Sequence, residues 1–162
     1  MVDDKLLDTI AGVLKKRNLS VATAESCTGG LIAHTLTNIS GSSDYFDRGV
    51  VSYSNNAKRE LLEVPQELLD KYGAVSKEVA QAMAEGIRCR SNAMIGLSVT
   101  GIAGPTGGTK EKPVGLVYIA VATKEKTEVK QCHFSGNRVE NKESTCAAAL
   151  ELLLHVLGSH SL

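Results

Sequence analysis

Apolar residues at Leu6, Leu7, Ile10, Val13 and Leu14 recur at helical spacing and give way at Asn18, which predicts an opening amphipathic helix. Residues 19–24 (LSVATA) form a short, mostly apolar run of the length of a buried strand. Through Glu25-Ser26-Cys27-Thr28-Gly29-Gly30 this run hands over to a second helical stripe over 31–38, which stops at Ser40-Gly41. Residues 48–54 (RGVVSYS) read as a β-branched strand, and Asn55-Asn56 are placed to cap a short helix through Lys58, Leu61 and Leu62. Residues 65–72 add another turn or two, closed by Gly73. Ser76 is the N-cap of a long helix carrying Val79, Ala80, Met83, Ala84 and Ile87. Residues 93–100 form an apolar strand, and 101–108 (GIAGPTGG) form a loop too rich in glycine for regular structure. Residues 114–123 and 128–134 pair as a hairpin around 124–127. A closing helix over 139–157 carries Ala147, Leu150, Leu154 and Leu157.

Helices alternate with strands through the first two-thirds of the chain, and a hairpin comes late. That order predicts an α/β fold: a three-layer α/β/α sandwich around a mixed, mostly parallel sheet of about five strands. No repeat, low-complexity stretch or linker divides the chain, so residues 1–162 are expected to form a single domain. In such sheets ligands sit outside the carboxyl ends of the strands. The junction at 25–30 and the loop at 101–108 both follow strands and are expected to share that edge.

Composition narrows the function more than it defines it. Eighteen basic residues balance 18 acidic ones, so neither nucleic acid nor an anionic membrane is suggested as a partner. The chain starts acidic and amphipathic, unlike a secretory signal, and no apolar run is long enough to span a bilayer; a cytoplasmic location is expected. The four cysteines (27, 89, 132, 146) and four histidines (34, 133, 155, 160) lack metal-ligand spacing, so the cysteines are expected to be reduced core residues and no metal site is predicted. His155 and His160 read as residues of a helix surface or tail.

The octapeptide Thr23 to Gly30 (TAESCTGG) carries the candidate chemistry. Its bland explanation is a capping turn, with Ser or Thr capping the helix and the glycines allowing close packing. Read functionally, it sets Ser26 at a helix start where the amides around Thr28, Gly29 and Gly30 favour an anion, whether a phosphate or a reaction oxyanion. Serine needs a base at neutral pH, and no histidine is well placed to supply one. Lys58 opens a helix after the next strand, on the same edge; desolvation there would lower its pKa from about 10.4 toward neutrality and make it a general base. The loop at 101–108 fails the test for a Walker loop, because Gly107 is followed by Gly108-Thr109-Lys110, and no G-x-G-x-x-G follows the first strand. What remains is a glycine-rich backbone suited either to connecting elements or to approaching a ligand closely.

Taken together, TAESCTGG, GSSDYFDRGVVSYSNNAK, YGAVS, VTGIAGPTGGTKEKPVG and the late FSGNR occur in the order found in one family. Over residues 21–138 the chain resembles the CinA C-terminal domain family, whose stand-alone members include nicotinamide mononucleotide deamidases. The resemblance implies hydrolysis of the carboxamide of nicotinamide mononucleotide to nicotinic acid mononucleotide and ammonia, without metal or other cofactor. It also agrees with the three-layer fold. Ser26 matches the family nucleophile and Lys58 its basic partner. Ser43, Tyr53 and Thr100 fall on motif positions associated with the site, while the loop containing Gly101 and Gly104, together with Arg138, is the candidate seat for the phosphate. Two positions depart from the family pattern: Asn137 stands where Asp is common, and Lys142 where a second arginine is common, keeping charge but losing a bidentate fork. The family also contains members fused behind a molybdopterin-binding-like domain, and the chain resembles the stand-alone form. A pyridine mononucleotide is the implied small-molecule partner, and a homodimer is the expected assembly. Two other functions are compatible with these residues: a nucleotide-binding module without turnover, and a thiol enzyme using Cys27. The second ranks low, because the side chain after Ser26 should point into the core.

Overall fold

The computed structural model describes residues 2–159. In chain order the elements are α1 (Asp4–Lys16), β1 (Val21–Glu25), α2 (Leu31–Thr37), a 3-10 turn (Ser42–Asp44), β2 (Phe46–Val51), α3 (Asn55–Leu62), α4 (Gln66–Tyr72), α5 (Lys77–Ser91), β3 (Ile95–Gly101), β4 (Leu116–Ala122), β5 (Thr127–His133) and α6 (Arg138–Ser159). The strands form one sheet in the order β2-β1-β3-β4-β5. β1 is parallel to both β2 and β3, whereas β4 is antiparallel to β3 and to β5. Only β4 therefore runs against the other four, and the mixed, mostly parallel sheet matches the expectation.

Side chains alternate across this sheet and separate two cores. Val21, Ile95, Leu97, Val99, Val117, Ile119 and Val121 meet Leu7, Ile10 and Leu14 of α1, Ile32 and Leu36 of α2, and the apolar stripe of α6. On the other face Ala22 and Ala24 meet Leu62 of α3, Leu69 of α4 and Val79, Met83 and Ile87 of α5. This second face is built from small residues, so α5 lies close to the sheet. A Cβ on Gly96 would strike the Ala84 carbonyl, and Ser98 Oγ donates to Ala80 O at 2.6 Å. Helices on both faces give the three-layer sandwich. No described helix is long and apolar enough to cross a membrane.

Several expected boundaries move. The strand expected at 48–54 ends at Val51, because Ser54 leaves the extended run to cap α3, its hydroxyl accepting from Ala57 N at 3.0 Å. The expected Asn55-Asn56 cap is therefore already inside the helix. Ser76 caps α5 as predicted, accepting from Val79 N. Cys27 and Cys146 are buried, but Cys132 is half-buried and Cys89 is exposed on α5, so the cysteines are not uniformly core residues. His155 is exposed, with Nε2 3.7 Å from Glu128, and His160 lies outside the described residues.

Candidate active site

The carboxyl edge of the sheet gathers the ends of β1, β2, β3 and β5, and with them most of the candidate residues. The alternation along β1 continues for one residue beyond its end. Glu25 points to the α2 face, and Ser26 points to the α3 face, where Lys58 lies. Ser26 N donates to Val99 O at 3.1 Å, which holds Ser26 to the end of β3. Cys27 turns back into the core shared with α2 and α6. Its thiol pKa is pushed up to about 11 by burial, so it stays a thiol near neutral pH. Gly29 and Gly30 follow with φ of 63° and 99°, a pair of left-handed conformations that side chains at these positions would resist.

Lys58 is 1% exposed. Its Nζ lies 3.1 Å from Ser26 Oγ, 2.8 Å from Ser52 O and 3.3 Å from Tyr53 O. Among the described residues no carboxylate pairs with it, and desolvation by burial lowers its pKa to about 8. The three contacts match the three donors of an ammonium. In the neutral amine the two carbonyls take the two remaining N–H groups, so the lone pair faces Ser26. The same carbonyls that stabilise the charged form thus aim the neutral form at the serine hydroxyl.

A cleft of about 270 Å³ opens over this pair, walled by Tyr53, Ala74, Thr100, Gly101, Ala103, Gly104 and Arg138. A larger hollow of about 370 Å³ between Leu19, Arg88 and Met94 lies at the opposite edge of the sheet. Thr100 Oγ1 donates to Ala74 O at 2.8 Å and ties two walls of the cleft together. Gly101 and Gly104 leave no room for a Cβ, which would strike Val117 and Val114. Arg138 donates to Gly104 O at 2.7 Å and to Tyr53 Oη at 2.9 Å, joining the glycine loop to the segment before α3.

Three candidates are placed differently from expectation. Ser43 is exposed in the turn before β2, at the amino edge of the sheet, a whole strand length from Ser26. Lys142 does not line the cleft; its ammonium sits beside Gly29, on the α6 side of the turn. The amides of Thr28 to Gly30 are not all available to an anion. Gly29 N donates to Ser26 O, and Gly30 N is taken by Glu25. The Thr28 hydroxyl is also turned inward, so of these three residues only the Thr28 amide is left without a carbonyl or carboxylate acceptor among the described residues. The preceding amide, Cys27 N, is in the same state.

Sequence reading missed two residues that build this site. Glu25 is 1% exposed, and its carboxylate accepts from Thr28 Oγ1, Gly30 N, Ile32 N and Ala33 N at 2.6–3.1 Å. The helix end expected to receive an anion, capped by Ser or Thr, is filled by this carboxylate instead. The signal was present: one charged residue closing an otherwise buried apolar strand. Asn141 is buried, donates to Ala103 O and accepts from Gly136 N, so it anchors the glycine loop from α6. The departure at Asn137 is conservative in effect, because its side chain caps α6 by accepting from Val139 N and Glu140 N.

With the geometry known, comparison with other proteins places the chain. Residues 3–157 match the CinA C-terminal domain. The chain belongs to the CinA C-terminal domain family. It is 51% identical over 151 residues to a CinA-like protein of Syntrophomonas wolfei, covering 93% of this chain and 36% of the relative. A CinA-like protein of Syntrophus aciditrophicus is 49% identical over 160 residues, covering 98% of this chain and 38% of its own length. The chain therefore spans little more than a third of the curated relatives it matches. Among solved structures, the competence/damage inducible protein CihA from Agrobacterium tumefaciens superposes with a TM-score of 0.93 at 43% identity, covering 98% of this chain and 99% of that one. A CinA superfamily protein from Escherichia coli gives 0.91 at 32% identity, with 96% and 94% covered.

Proposed function

We propose that this chain is an amidohydrolase in which Ser26 is the nucleophile and Lys58 moves the proton, acting on the carboxamide of nicotinamide mononucleotide. The observation that carries the reading is the buried Lys58 ammonium group, held by two carbonyls and placed 3.1 Å from Ser26 Oγ, with no carboxylate among the described residues to keep it charged. Neutral Lys58 takes the hydroxyl proton as Oγ bonds to the amide carbon, and the carbonyl oxygen becomes an oxyanion. The Cys27 and Thr28 amides are the donors left to hold it. Collapse of this intermediate breaks the C–N bond, and the Lys58 ammonium returns its proton to the leaving nitrogen, releasing ammonia. Water then attacks the Ser26 ester, again losing its proton to Lys58, and the acid product leaves with the serine restored. Arg138 at the cleft mouth, with donors beyond the two it spends on Gly104 and Tyr53, suits the phosphate of a mononucleotide.

The test is ammonia release from nicotinamide mononucleotide by the purified protein, with Ser26→Ala, Lys58→Ala and Cys27→Ala measured beside it. Release by the wild type that is lost in the first two variants is the expected result. No release by a folded wild type that still binds the nucleotide would favour a binding module instead. Activity that survives Ser26→Ala but disappears with Cys27→Ala would move the nucleophile to the thiol.

A further inference from the structure

We infer that Glu25 is a positioning residue for this site: its carboxylate, laid under the start of α2, shapes the turn so that the Cys27 and Thr28 N–H groups are left without a carbonyl or carboxylate acceptor and can hold the oxyanion. The inference rests on the amidase reading above and goes beyond it to a residue that touches neither the substrate nor the base. All four groups bound to the carboxylate come from residues 28–33, and none is a cation. A helix start is ordinarily capped by the short side chain of its own N-cap residue. Here the N-cap is Gly30, and a strand residue five positions earlier supplies the acceptor.

The consequence is a sorting of amides. Glu25 consumes those of Gly30, Ile32 and Ala33, and Ser26 O consumes that of Gly29, so the two amides that directly follow Ser26 are left without a carbonyl or carboxylate acceptor among the described residues. The backbone of the same residue reaches the other half of the dyad. Glu25 O accepts from Ser52 N at 2.8 Å, and Ser52 O is the shortest contact of Lys58 Nζ. One residue thus fixes Ser26 from the strand side, the oxyanion donors through its side chain, and the lysine acceptor through its main chain.

Glu25→Gln keeps the shape but places an N–H₂ group against at least one of the donors. Its kcat is expected to fall by about 10- to 100-fold, less than the roughly 10²–10³-fold cost of removing an oxyanion donor outright because the donors are displaced and not deleted, while KM stays within about threefold. The acidic limb of its pH–rate profile should stay at the wild-type position, because the carboxylate does not contact Lys58. Thr28→Val, which removes one donor to Glu25, should lose about tenfold in kcat, and Thr28→Ser should restore most of it. The Thr28 pair decides the matter if Glu25→Gln does not fold. A folded Glu25→Gln with wild-type kcat, or a Thr28→Val equal to wild type, overturns the inference while leaving the amidase reading intact. So does a shifted pH limb in Glu25→Gln, which would mean that Glu25 works through the charge of Lys58. A wild type that releases no ammonia overturns the amidase reading itself, and this inference with it.

Discussion

Two glycine-containing loops meet at the carboxyl edge, and they are built in opposite ways. The turn at 26–30 is held from inside: a buried carboxylate takes three backbone amides and a hydroxyl, and both glycines adopt left-handed φ to make the bend. The loop at 101–108 is held from outside and only along its first half. Ile102 pairs with Leu116 and Gly115, Asn141 binds Ala103 O, and Arg138 binds Gly104 O, whereas residues 105–110 are exposed. On the proposed mechanism the difference separates two tasks. Bond-making geometry tolerates little displacement, so it belongs on the internally braced turn. Recognition can rest on a wall whose outer half is free to adjust.

The largest effects should come from the braced side. Ser26→Ala is expected to lower kcat by about 10³-fold or more, because the neighbouring Cys27, which also borders the cleft, is held as a thiol by burial, its pKa pushed up to about 11. Lys58→Ala should cost about 10²–10⁴-fold, the usual range for a general acid–base. Single-turnover ammonia release measures both, and variants that lose activity only through KM would place the chemistry elsewhere.

A pH series sharpens the same point. The proposed mechanism needs neutral Lys58, so kcat/KM should rise about tenfold per unit below pH 8 and level off above it. Stability should follow the same group. Desolvation holds the folded pKa near 8, below the ordinary value of 10.5, so between these limits the unfolded chain binds a proton that the folded chain does not. The unfolding free energy therefore rises with pH across that window, by up to about 3 kcal/mol, and is flat with respect to this group below pH 8. Denaturant titrations at pH 7.5 and 10 measure the slope, which Lys58→Met should remove.

The two loops also differ in how far the sequence exposes them. The strand-helix alternation, the Ser76 cap and the position of Ser26 and Lys58 on one edge are local or periodic properties, and each is legible in the chain. The period of two that carries Ser26 to the α3 face also sends Cys27 into the core. The bracing by Glu25 was missed although a lone charge ends the buried strand, because a cap is sought at or beside the N-cap residue, and this one comes from the preceding strand. The end of β2 was misjudged for a related reason. Val-Ser-Tyr-Ser has the composition of a strand, but its last serine serves α3, and only the helix packed beside it decides between the two.

On the recognition side the effects should be smaller and fall on KM. Arg138→Lys keeps the charge but loses the planar fork whose two nitrogens separately bond Gly104 O and Tyr53 Oη. A KM about tenfold higher with kcat changed less than threefold is expected from steady-state kinetics, as for a lost charge-assisted contact. A fall in kcat equal to the rise in KM would show that the outer loop also takes part in positioning the reacting group, and the division between the loops would fail.

The smallest effect should come from Ser43→Ala. Ser43 lies on the amino edge, exposed, in the turn that leads into β2, while every group assigned to the reaction lies at the far end of the same strands. Its hydroxyl has no hydrogen-bond partner among the described residues, so its loss removes no contact within the chain. Kinetic constants within about twofold of wild type are expected, as for an exposed surface position. A large loss would have one structural explanation, that a second copy of the chain brings its own turn at 42–44 to this cleft. Mixing Ser43→Ala with Ser26→Ala would then test it, because each inactive copy would supply the residue the other lacks and activity would return in the mixture.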